Sequence, residues 1–235
     1  MIDTHCHIDL HDNPLEIISA LKASEIECVA TTMLPSHYRL GLPHLKQHKG
    51  IHPSLGLHPM RAREGKRELA DFIILAETAD YIGEIGLDFS REGNPTKNLQ
   101  VENLAMILPS LKGGKFVSVH SRESVSALLT MLSDAGVAPV CFHYFTGGPM
   151  LAQEVIQAGH YFSFNHRMLN GRHKTLLNIV PQEKVLVESD SPFLSPPLVL
   201  AVYDSYLAIA RQWGRSLQQT QEQISANFES CRTEN

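Results

Sequence analysis

Two histidines near the start of the chain carry the first chemical signal. His5 and His7 stand one residue apart in the run Met-Ile-Asp-Thr-His-Cys-His-Ile-Asp. Side chains alternate along a β-strand, so both imidazoles point to one face while Cys6 points to the other. Histidine is the commonest metal ligand in proteins. The pair therefore predicts half of a metal site, and the remaining ligands are expected elsewhere in the chain.

The elements that would position such a site alternate along the sequence. Short apolar runs are separated by stretches with helical periodicity, which is typical of parallel α/β folds. Eight predicted strands favour an α/β (β/α)₈ TIM barrel over a doubly wound open sheet. The histidine pair makes the metal-dependent hydrolase type the expected kind of barrel. The length suits one domain, residues 1–235. The predicted strands are Ile2–His7, Glu27–Met33, Ile51–Leu57, Tyr81–Leu87, Lys115–His120, Ala138–Phe142, Tyr161–Phe164 and Val185–Glu188. The predicted helices are Pro14–Ala23, Glu64–Thr78, Thr96–Leu111, Arg122–Ala135, Pro149–Ala158, His173–Ile179, Val199–Gln212 and Leu217–Ser230.

Reactive side chains are concentrated where six of these strands end. Barrel enzymes build their active sites at the C-terminal ends of the strands. Taken singly, a strand-end histidine is usually structural, and an acidic residue there can cap a helix or form a turn. Those explanations do not account for the same pattern at six strand ends. The residues are His5 and His7, His58, Glu84 and Asp88, His120 and Arg122, His143, and Glu188 and Asp190.

The donor types indicate which metals such a site would hold. Imidazole and carboxylate ligands without thiolate suit Zn, Mn or Mg. This many donors exceeds the three protein ligands of an open catalytic zinc, and it suits two divalent metal ions with Glu84 as a candidate bridge. Such a pair activates water near neutral pH. The other histidines are expected to be structural or at the surface; they are His11, His37, His44, His48, His52, His160, His166 and His173.

Composition limits the partners that the chain can have. The net charge of −5 with neutral histidines argues against an extended duplex-binding face, but it leaves room for a pocket that binds a strand end beside bound cations. The four cysteines show no C-x-x-C spacing and are expected to be buried thiols. No signal peptide and no apolar run of membrane-spanning length are seen, so we expect a cytoplasmic protein without a membrane partner.

Six motifs in a fixed order extend over most of the chain. The first is Asp3-Thr-His-Cys-His and the last is Glu188-Ser-Asp-Ser-Pro-Phe-Leu. In this combination the chain resembles the TatD-type metal-dependent deoxyribonucleases, which belong to the amidohydrolase-like (β/α)₈ enzymes. The resemblance implies a two-metal hydrolase that cleaves phosphodiester bonds at DNA ends. The motifs between the first and the last are Gly56-Leu-His-Pro, Ile82-Gly-Glu-Ile-Gly-Leu-Asp, Val119-His-Ser-Arg and His143-x-Phe.

The resemblance also implies roles for particular residues. Asp190 and Glu84 would be the catalytic residues, with Asp190 helping to activate the attacking water. His58 and Arg122 would face the substrate, where Arg122 would bind a phosphate. The implied metal ligands are His5, His7, Glu84, His120, His143 and Asp190.

Departures from the family pattern fall outside the metal motifs. The chain has His143-Tyr-Phe-Thr-Gly where the family usually has His-Cys-Phe-Ser-Gly. It has Asn165-His-Arg-Met in place of a small glycine-bearing turn, and it lacks an Arg-Asn-x-Pro loop after Pro197. The metal motifs are intact, so the departures predict an altered substrate rim.

Narrower and rival interpretations remain open at this point. The length and the opening segment are similar to the TatD-like component of the bacterial Qat anti-phage systems, which implies a role in antiviral defence and partner proteins from the same defence operon. One rival is a hydrolase of another ester or amide, for example the aminoacyl ester of a tRNA. Another is a catalytically silent scaffold or sensor subunit of a defence complex, against which the intact ligand set argues.

Overall fold

Eight parallel strands follow one another in chain order in the computed structural model, which describes residues 1–234. The first three strands form one hydrogen-bonded ladder and the last five form another. The strands are β1 (Ile2–Cys6), β2 (Glu27–Ala30), β3 (Ile51–Pro53), β4 (Tyr81–Gly86), β5 (Phe116–His120), β6 (Cys141–Phe142), β7 (Tyr161–Phe164) and β8 (Val185–Val187). All eight predicted strands are therefore present, although several are shorter than predicted.

Backbone hydrogen bonds at two seams join the ladders into a closed barrel. Leu55, just after β3, donates its N–H to the carbonyl of Tyr81 at 3.0 Å and accepts from the N–H of Gly83 at 2.9 Å. At the other seam the N–H of Asp190 donates to the carbonyl of His5 at 3.0 Å. The N–H of His7 donates to the carbonyl of Ser191 at 2.9 Å. The predicted α/β barrel is confirmed.

Helices cover the outside of the barrel between successive strands. A continuous apolar core extends from β1 to the C-terminal helix. This core is consistent with the single domain over residues 1–235, and that domain assignment stays a prediction. Within residues 1–234 the α-helices are α1 (Pro14–Ala23), α2 (Pro35–Leu45), α3 (Ala62–Gly65), α4 (Leu69–Ala76), α5 (Lys97–Ile107), α6 (Val125–Ala135), α7 (Pro149–Gln157), α8 (His166–Asn170), α9 (Leu198–Trp213) and α10 (Leu217–Thr233).

The helix α2 is absent from the sequence-based prediction. Gly41 and Pro43 interrupt its pattern, and both residue types weaken a helix interior. Pro43 lies in the last turn, so its missing N–H removes a single bond near the helix end. Tyr38 and Leu45 are buried against the barrel, and this tertiary packing stabilises a helix that local propensity does not indicate.

Two predicted helices have a different form in the structure. The range Glu64–Thr78 is divided into α3 and α4, and α3 ends at Gly65, a residue that is unfavourable inside a helix. The range His173–Ile179 lies mostly in a 3₁₀ helix, Arg172–Asn178, preceded by the short α8. Adjacent Leu176 and Leu177 are both buried there, and they do not follow the spacing of one amphipathic α-helical face.

A close approach of backbones beneath the strand ends requires glycine at position 56. A Cβ on Gly56 would lie 1.6 Å from the carbonyl oxygen of Thr32. Thr32, beyond the end of β2, accepts a hydrogen bond from the N–H of Glu84 at 3.1 Å and donates its own N–H to Gly83 at 3.2 Å. The chain after β2 thus reaches β4 directly, and this contact places Glu84 near the barrel axis.

The cysteines lie in the interior, as predicted. All four are free and buried. The sulfur of Cys6 lies within 4.8 Å of the sulfur of Cys28 and a carboxylate oxygen of Asp3. Within residues 1–234, no helix has both the length and the apolar character needed to cross a membrane.

His160 makes the stability of the fold depend on pH. This residue lies just before β7, and its Nδ1 accepts a hydrogen bond from the N–H of Val140 at 3.2 Å. Burial, helped by the charge of Lys184, lowers the pKa of His160 to about 4. The unfolded chain binds a proton near the ordinary pKa of 6.5, whereas the folded chain does not. The neutral, buried His160 therefore contributes stability that is fully present above pH 6.5 and is lost as the pH falls toward 4.

We expect His160 alone to lower the free energy of unfolding by about 2–3 kcal/mol between pH 7 and pH 4. Urea unfolding of wild type and His160→Asn at both pH values measures this effect. The asparagine keeps an acceptor for Val140 but does not titrate, so the variant should lose less stability on acidification. An identical pH dependence in the two proteins would show that His160 does not contribute.

Candidate active site

Glu84, on β4, lies at the centre of a histidine cluster at the C-terminal end of the barrel. Its side chain is almost completely buried, with a residue exposure of 2%. Its Oε2 lies 3.5 Å from Nε2 of His5 and 3.4 Å from Nε2 of His7. These two ring nitrogens are 3.3 Å apart, so strand alternation places both imidazoles on one face, as predicted. Nε2 of His58 approaches the same carboxylate oxygen at 3.3 Å.

The other oxygen of Glu84 faces a second pair of histidines. Oε1 lies 2.6 Å from Nδ1 of His120 and 3.4 Å from Nε2 of His143. Burial raises the pKa of Glu84, but His58, His143 and His120 outweigh it and hold the pKa well below its usual value. Glu84 is therefore ionised, and each of its two oxygens contacts a separate group of imidazoles.

His120 and His143 carry the positive charge that balances the buried carboxylates. Nε2 of His120 lies 2.8 Å from Oδ2 of Asp88, so both of its ring nitrogens face carboxylates. Burial lowers the pKa of His120, but Glu84 and Asp88 outweigh it and raise the pKa to about 9. For His143, Glu188 and Glu84 overcome burial and raise the pKa to about 10. A divalent cation would take the place of these protons.

Neighbouring side chains fix the orientation of the rings. Nδ1 of His5 hydrogen-bonds to Oγ of Ser118 at 2.8 Å. Nδ1 of His143 lies 3.0 Å from Oε2 of Glu188, and a carboxylate only accepts, so this nitrogen carries a proton. In both residues Nε2 is therefore the ring atom that faces Glu84. Carboxylate–histidine contacts of this kind orient metal ligands and increase their basicity.

His58 has the opposite tautomer. Its Nδ1 accepts a hydrogen bond from the N–H of Met60 at 3.1 Å. The ring proton must then be on Nε2, which donates to Glu84. Burial lowers the pKa of His58, so it is a neutral donor near pH 7. The structure thus separates His58 from His5 and His143, in which another partner holds Nδ1 and a metal would bind at Nε2.

Asp190 lies just beyond β8 and completes the cluster. One of its carboxylate oxygens lies within 4.8 Å of ring nitrogens of His5 and His7. Burial raises the pKa of Asp190 to about 7 although His143 opposes the shift. Its φ of +52° is in the left-handed region, which is uncommon for residues other than glycine. Its backbone bond to His5 at the barrel seam holds it in this position.

The donor set fits divalent metal ions. Imidazole nitrogens and carboxylate oxygens converge, the thiol of Cys6 belongs to none of their groups, and this combination suits Zn, Mn or Mg. One carboxylate between two groups of ligands is also the arrangement expected for a bridged pair of ions. At this centre the donor groups that lie within 4.8 Å of one another are His5, His7 and Asp190; His5, His143 and Glu188; and His58, Glu84 and His120.

A cavity of about 610 Å³ opens above the cluster. Arg122, expected to bind substrate, lines its rim and does not contact Glu84. Its guanidinium lies 3.5 Å from Oε2 of Glu92, and both side chains are more than half exposed, so this pair adds little stability. Besides these groups and the cluster, the lining contains Met33, Met60, Ser121, Tyr144, Thr146, Arg167 and Phe193.

The structure therefore brings the six sequence-predicted ligands and His58 together, and it places Arg122 at the rim of the cavity. Within the described part of the chain, none of the eight histidines assigned to other roles contacts Glu84. Sequence reasoning missed Ser118, and it gave Glu188 and Asp88 no role as partners of ligands. A signal for Ser118 exists, because it lies two residues before His120 on β5 and so shares its face.

Fold and site together define a metal-dependent hydrolase of the (β/α)₈ class. The family model described as TatD related DNase matches residues 2–232. The chain therefore belongs to the TatD family of metal-dependent hydrolases.

Individual relatives agree with this assignment. Deoxyribonuclease TATDN3 of Homo sapiens is 28% identical over 217 residues, which cover 83% of this chain and 79% of that protein. The uncharacterized metal-dependent hydrolase YabD of Bacillus subtilis (strain 168) is 27% identical over 212 residues, covering 83% of this chain and 82% of that protein. The crystal structure of YjjV, a TatD homologue from Escherichia coli K12, superposes with a TM-score of 0.82 at 18% identity, covering 100% of this chain and 98% of that one. At this identity the superposition supports the fold alone.

Glu188 should be needed for tight metal binding although it lies behind His143. We expect Glu188→Gln to lower the affinity for Zn²⁺ or Mn²⁺ by about 10- to 100-fold, because the amide cannot hold the Nδ1 proton of His143 as a carboxylate does. Competition with a chromogenic chelator measures the affinity. Glu183→Gln, at an exposed position, is the matched control. Unchanged affinity in a folded Glu188→Gln variant would contradict this role.

Proposed function

We propose that this TatD-family hydrolase is a deoxyribonuclease that uses two divalent metal ions to cleave phosphodiester bonds at accessible DNA ends. The observation that carries the proposal is the division of Glu84 between two groups of histidines. In this proposal His5, His7 and Asp190 would hold one ion and His120 and His143 would hold the other, with Glu84 contributing to both. Bound ions would supply Lewis-acid stabilisation of phosphate charge and lower the pKa of the attacking water.

The side chains of this chain then have distinct tasks in the displacement. Asp190 accepts the proton of the attacking water, whose oxygen forms the new bond to phosphorus. The bond from phosphorus to the departing nucleoside oxygen breaks. That oxygen takes a proton from solvent water and leaves as an alcohol, while Asp190 returns its own proton to solvent. His58, whose tautomer puts its ring hydrogen on Nε2, would turn this donor from Glu84 to a phosphate oxygen of the bound substrate. Arg122 binds a second phosphate oxygen with its planar guanidinium.

Three observations favour a DNA end as the substrate. The cavity has the size of a small-ligand site, which suits about one or two nucleotides better than a duplex lying across the surface. The net charge of −5 argues against an extended basic face for a duplex. A human relative is named as a deoxyribonuclease.

The cysteines bear on the compartment in which the protein works. The four free and buried thiols support a reducing, cytoplasmic compartment. A role in antiviral defence and partners from the same operon stay predictions of the narrower sequence resemblance.

Metal-dependent cleavage of DNA tests the proposal. Metal-free protein supplied with Mg²⁺, Mn²⁺ or Zn²⁺ should digest end-labelled DNA, and His5→Ala should lower the rate by orders of magnitude and reduce the bound metal. The exposed His44→Ala should do neither. RNA and an aminoacyl ester are tested in the same assay. Full metal content and full activity in His5→Ala would show that the site is wrong, and hydrolysis of the ester alone would replace the nuclease with its rival.

Arg122 should affect phosphate substrates alone. We expect Arg122→Ala to lower kcat/KM for DNA by about 1.5–3 kcal/mol of transition-state stabilisation, the range of a charge-assisted contact. Arg122→Lys should restore part of the loss, because a point charge cannot make two parallel bonds. Metal content and hydrolysis of an uncharged ester should not change. Equal losses on both substrates would indicate that Arg122 has a structural role. Its exposed ion pair with Glu92 gives no reason to expect such a role.

A further inference from the structure

We propose that Asp3, Cys6 and Cys28 form a binding site for one thiophilic d¹⁰ cation, Zn²⁺ or Cu⁺, inside the wall of the barrel. These three residues are called the thiol site. It is separate from the cluster around Glu84 and does not depend on the proposed nuclease activity. In this proposal both sulfurs bind the cation as thiolates, the two thiol protons pass to solvent, and the carboxylate of Asp3 is the third ligand.

The ligand atoms of the thiol site already lie close together. The Sγ atoms of Cys6 and Cys28 and a carboxylate oxygen of Asp3 are all within 4.8 Å of one another. A thiolate sulfur binds Zn²⁺ at about 2.3 Å, so two sulfurs on one ion are about 3.8 Å apart in a tetrahedron and about 4.6 Å apart in a line. The three atoms are therefore near the spacing that a single cation requires.

An irregularity in β1 brings these side chains together. Asp3 is paired with Cys28 of β2, and Cys6 is paired with Ala30. The step from Asp3 to Cys6 thus spans three residues on β1, whereas the matching step spans two on β2. In a regular strand, side chains three residues apart point to opposite faces. The extra residue interrupts that alternation, as in a β-bulge, and lets Asp3 and Cys6 share Cys28 as a neighbour.

Asp3 is the observation that favours a ligand site over simple packing of two thiols. Its side chain is fully buried. Oδ1 accepts hydrogen bonds from the N–H groups of His5 at 3.1 Å and Ser189 at 2.9 Å. Oδ2 has no hydrogen-bond partner within residues 1–234, although the hydroxyl of Ser189 is nearby. A buried carboxylate oxygen without a partner is costly, and a bound cation would remove that cost.

The donor types select a different cation from the cluster around Glu84. Thiolates favour Zn²⁺ and Cu⁺, whereas Mg²⁺ and Mn²⁺ favour oxygen ligands. Zn²⁺ in structural sites usually takes four ligands, and the hydroxyl of Ser189, beside Asp3 and Cys6, offers a fourth donor. Cu⁺ accepts fewer ligands and needs no fourth donor. Both cations thus fit the site, and the experiment distinguishes them.

A cation in the thiol site would link β1 to β2 next to the catalytic ligands. Cys6 lies between His5 and His7 in the chain, and Oδ1 of Asp3 holds the N–H of His5. The unfolded chain has no preformed site, so binding of the cation would add to the stability of the folded barrel. The ion would therefore have a structural role and would not take part in the reaction.

Co²⁺ tests the site because it replaces Zn²⁺ and gives an intense near-ultraviolet charge-transfer band with thiolate ligands, whereas imidazoles and carboxylates give none. Reduced, metal-free protein is titrated with Co²⁺ when folded and during refolding from urea, since the three side chains are fully buried. Zn²⁺ is counted with a chromogenic chelator, and Cu⁺ is measured without oxygen by competition with bicinchoninate. The variants are Cys28→Ala, Cys28→Ser and Asp3→Asn. The matched control is Cys231→Ala, another free and buried cysteine, and His5→Ala is the control for the cluster around Glu84.

Wild type and Cys231→Ala should show the cobalt band and bind one equivalent of Zn²⁺ more than either Cys28 variant. Both Cys28 variants should lose the band. Asp3→Asn should keep the band but bind Co²⁺ more weakly, because an amide oxygen carries no charge. His5→Ala should keep the band although it loses metal from the cluster around Glu84. X-ray absorption of wild type loaded with zinc needs no variant and should show sulfur about 2.3 Å from the metal.

The results decide between a metal site and packed thiols. Absence of the cobalt band in wild type, together with no competition for Cu⁺, would overturn the site. An unchanged band in folded Cys28→Ala, or an equal loss of the band in Cys231→Ala, would also overturn it. Binding of Cu⁺ that depends on Cys28, without a cobalt band, would support the site as one for Cu⁺ alone.

Discussion

One buried negative charge, the carboxylate of Glu84, is the interaction on which the rest of the structure depends. Removing an ionised carboxylate from water is costly unless opposite charge and hydrogen bonds replace the lost hydration. Here five imidazoles surround it, and they outweigh the effect of burial on its pKa. An isolated carboxylate in such a position would take up a proton. The histidines therefore keep Glu84 ionised. An ionised Glu84 is in turn needed for the centre to bind cations.

The barrel is what makes this arrangement possible. The groups around Glu84 come from β1, β5 and the segments that follow β3, β6 and β8, and parallel strands in a closed barrel bring these ends together. The same backbone bonds close the barrel and position the site, since the N–H of Asp190 binds the carbonyl of His5 at the seam. Gly56 has a comparable effect, because its missing side chain lets Thr32 bind the backbone of Glu84. Folding and preorganisation of the site are thus parts of one process.

The metal cluster and the rim differ in how they are supported. The cluster lies on strands and strand ends whose side chains are fixed by buried partners, such as Ser118 for His5 and Glu188 for His143. The rim consists of loops and short helices, where sequence can change without loss of the core. Departures from the family pattern fall there, in the segments that carry Tyr144 and Arg167. The residues on the strands and strand ends therefore set the class of reaction. The choice of substrate depends on the side chains of the loops and short helices at the rim.

The sequence by itself determined the eight strands, their order in a parallel barrel and the meeting of reactive groups at one end. It could do so because strand alternation is a local rule, which also put His5 and His7 on one face. It did not reveal α2, whose glycine and proline are overcome by packing. Nor could it show which oxygen of Glu84 faces which histidine, the tautomer of His58 or the partner of Arg122. These depend on contacts between distant segments, as between His5 and Ser118, which are 113 residues apart. Only the closed tertiary structure sets those distances, and hydrogen-bond geometry at that scale decides which ring nitrogen carries a proton.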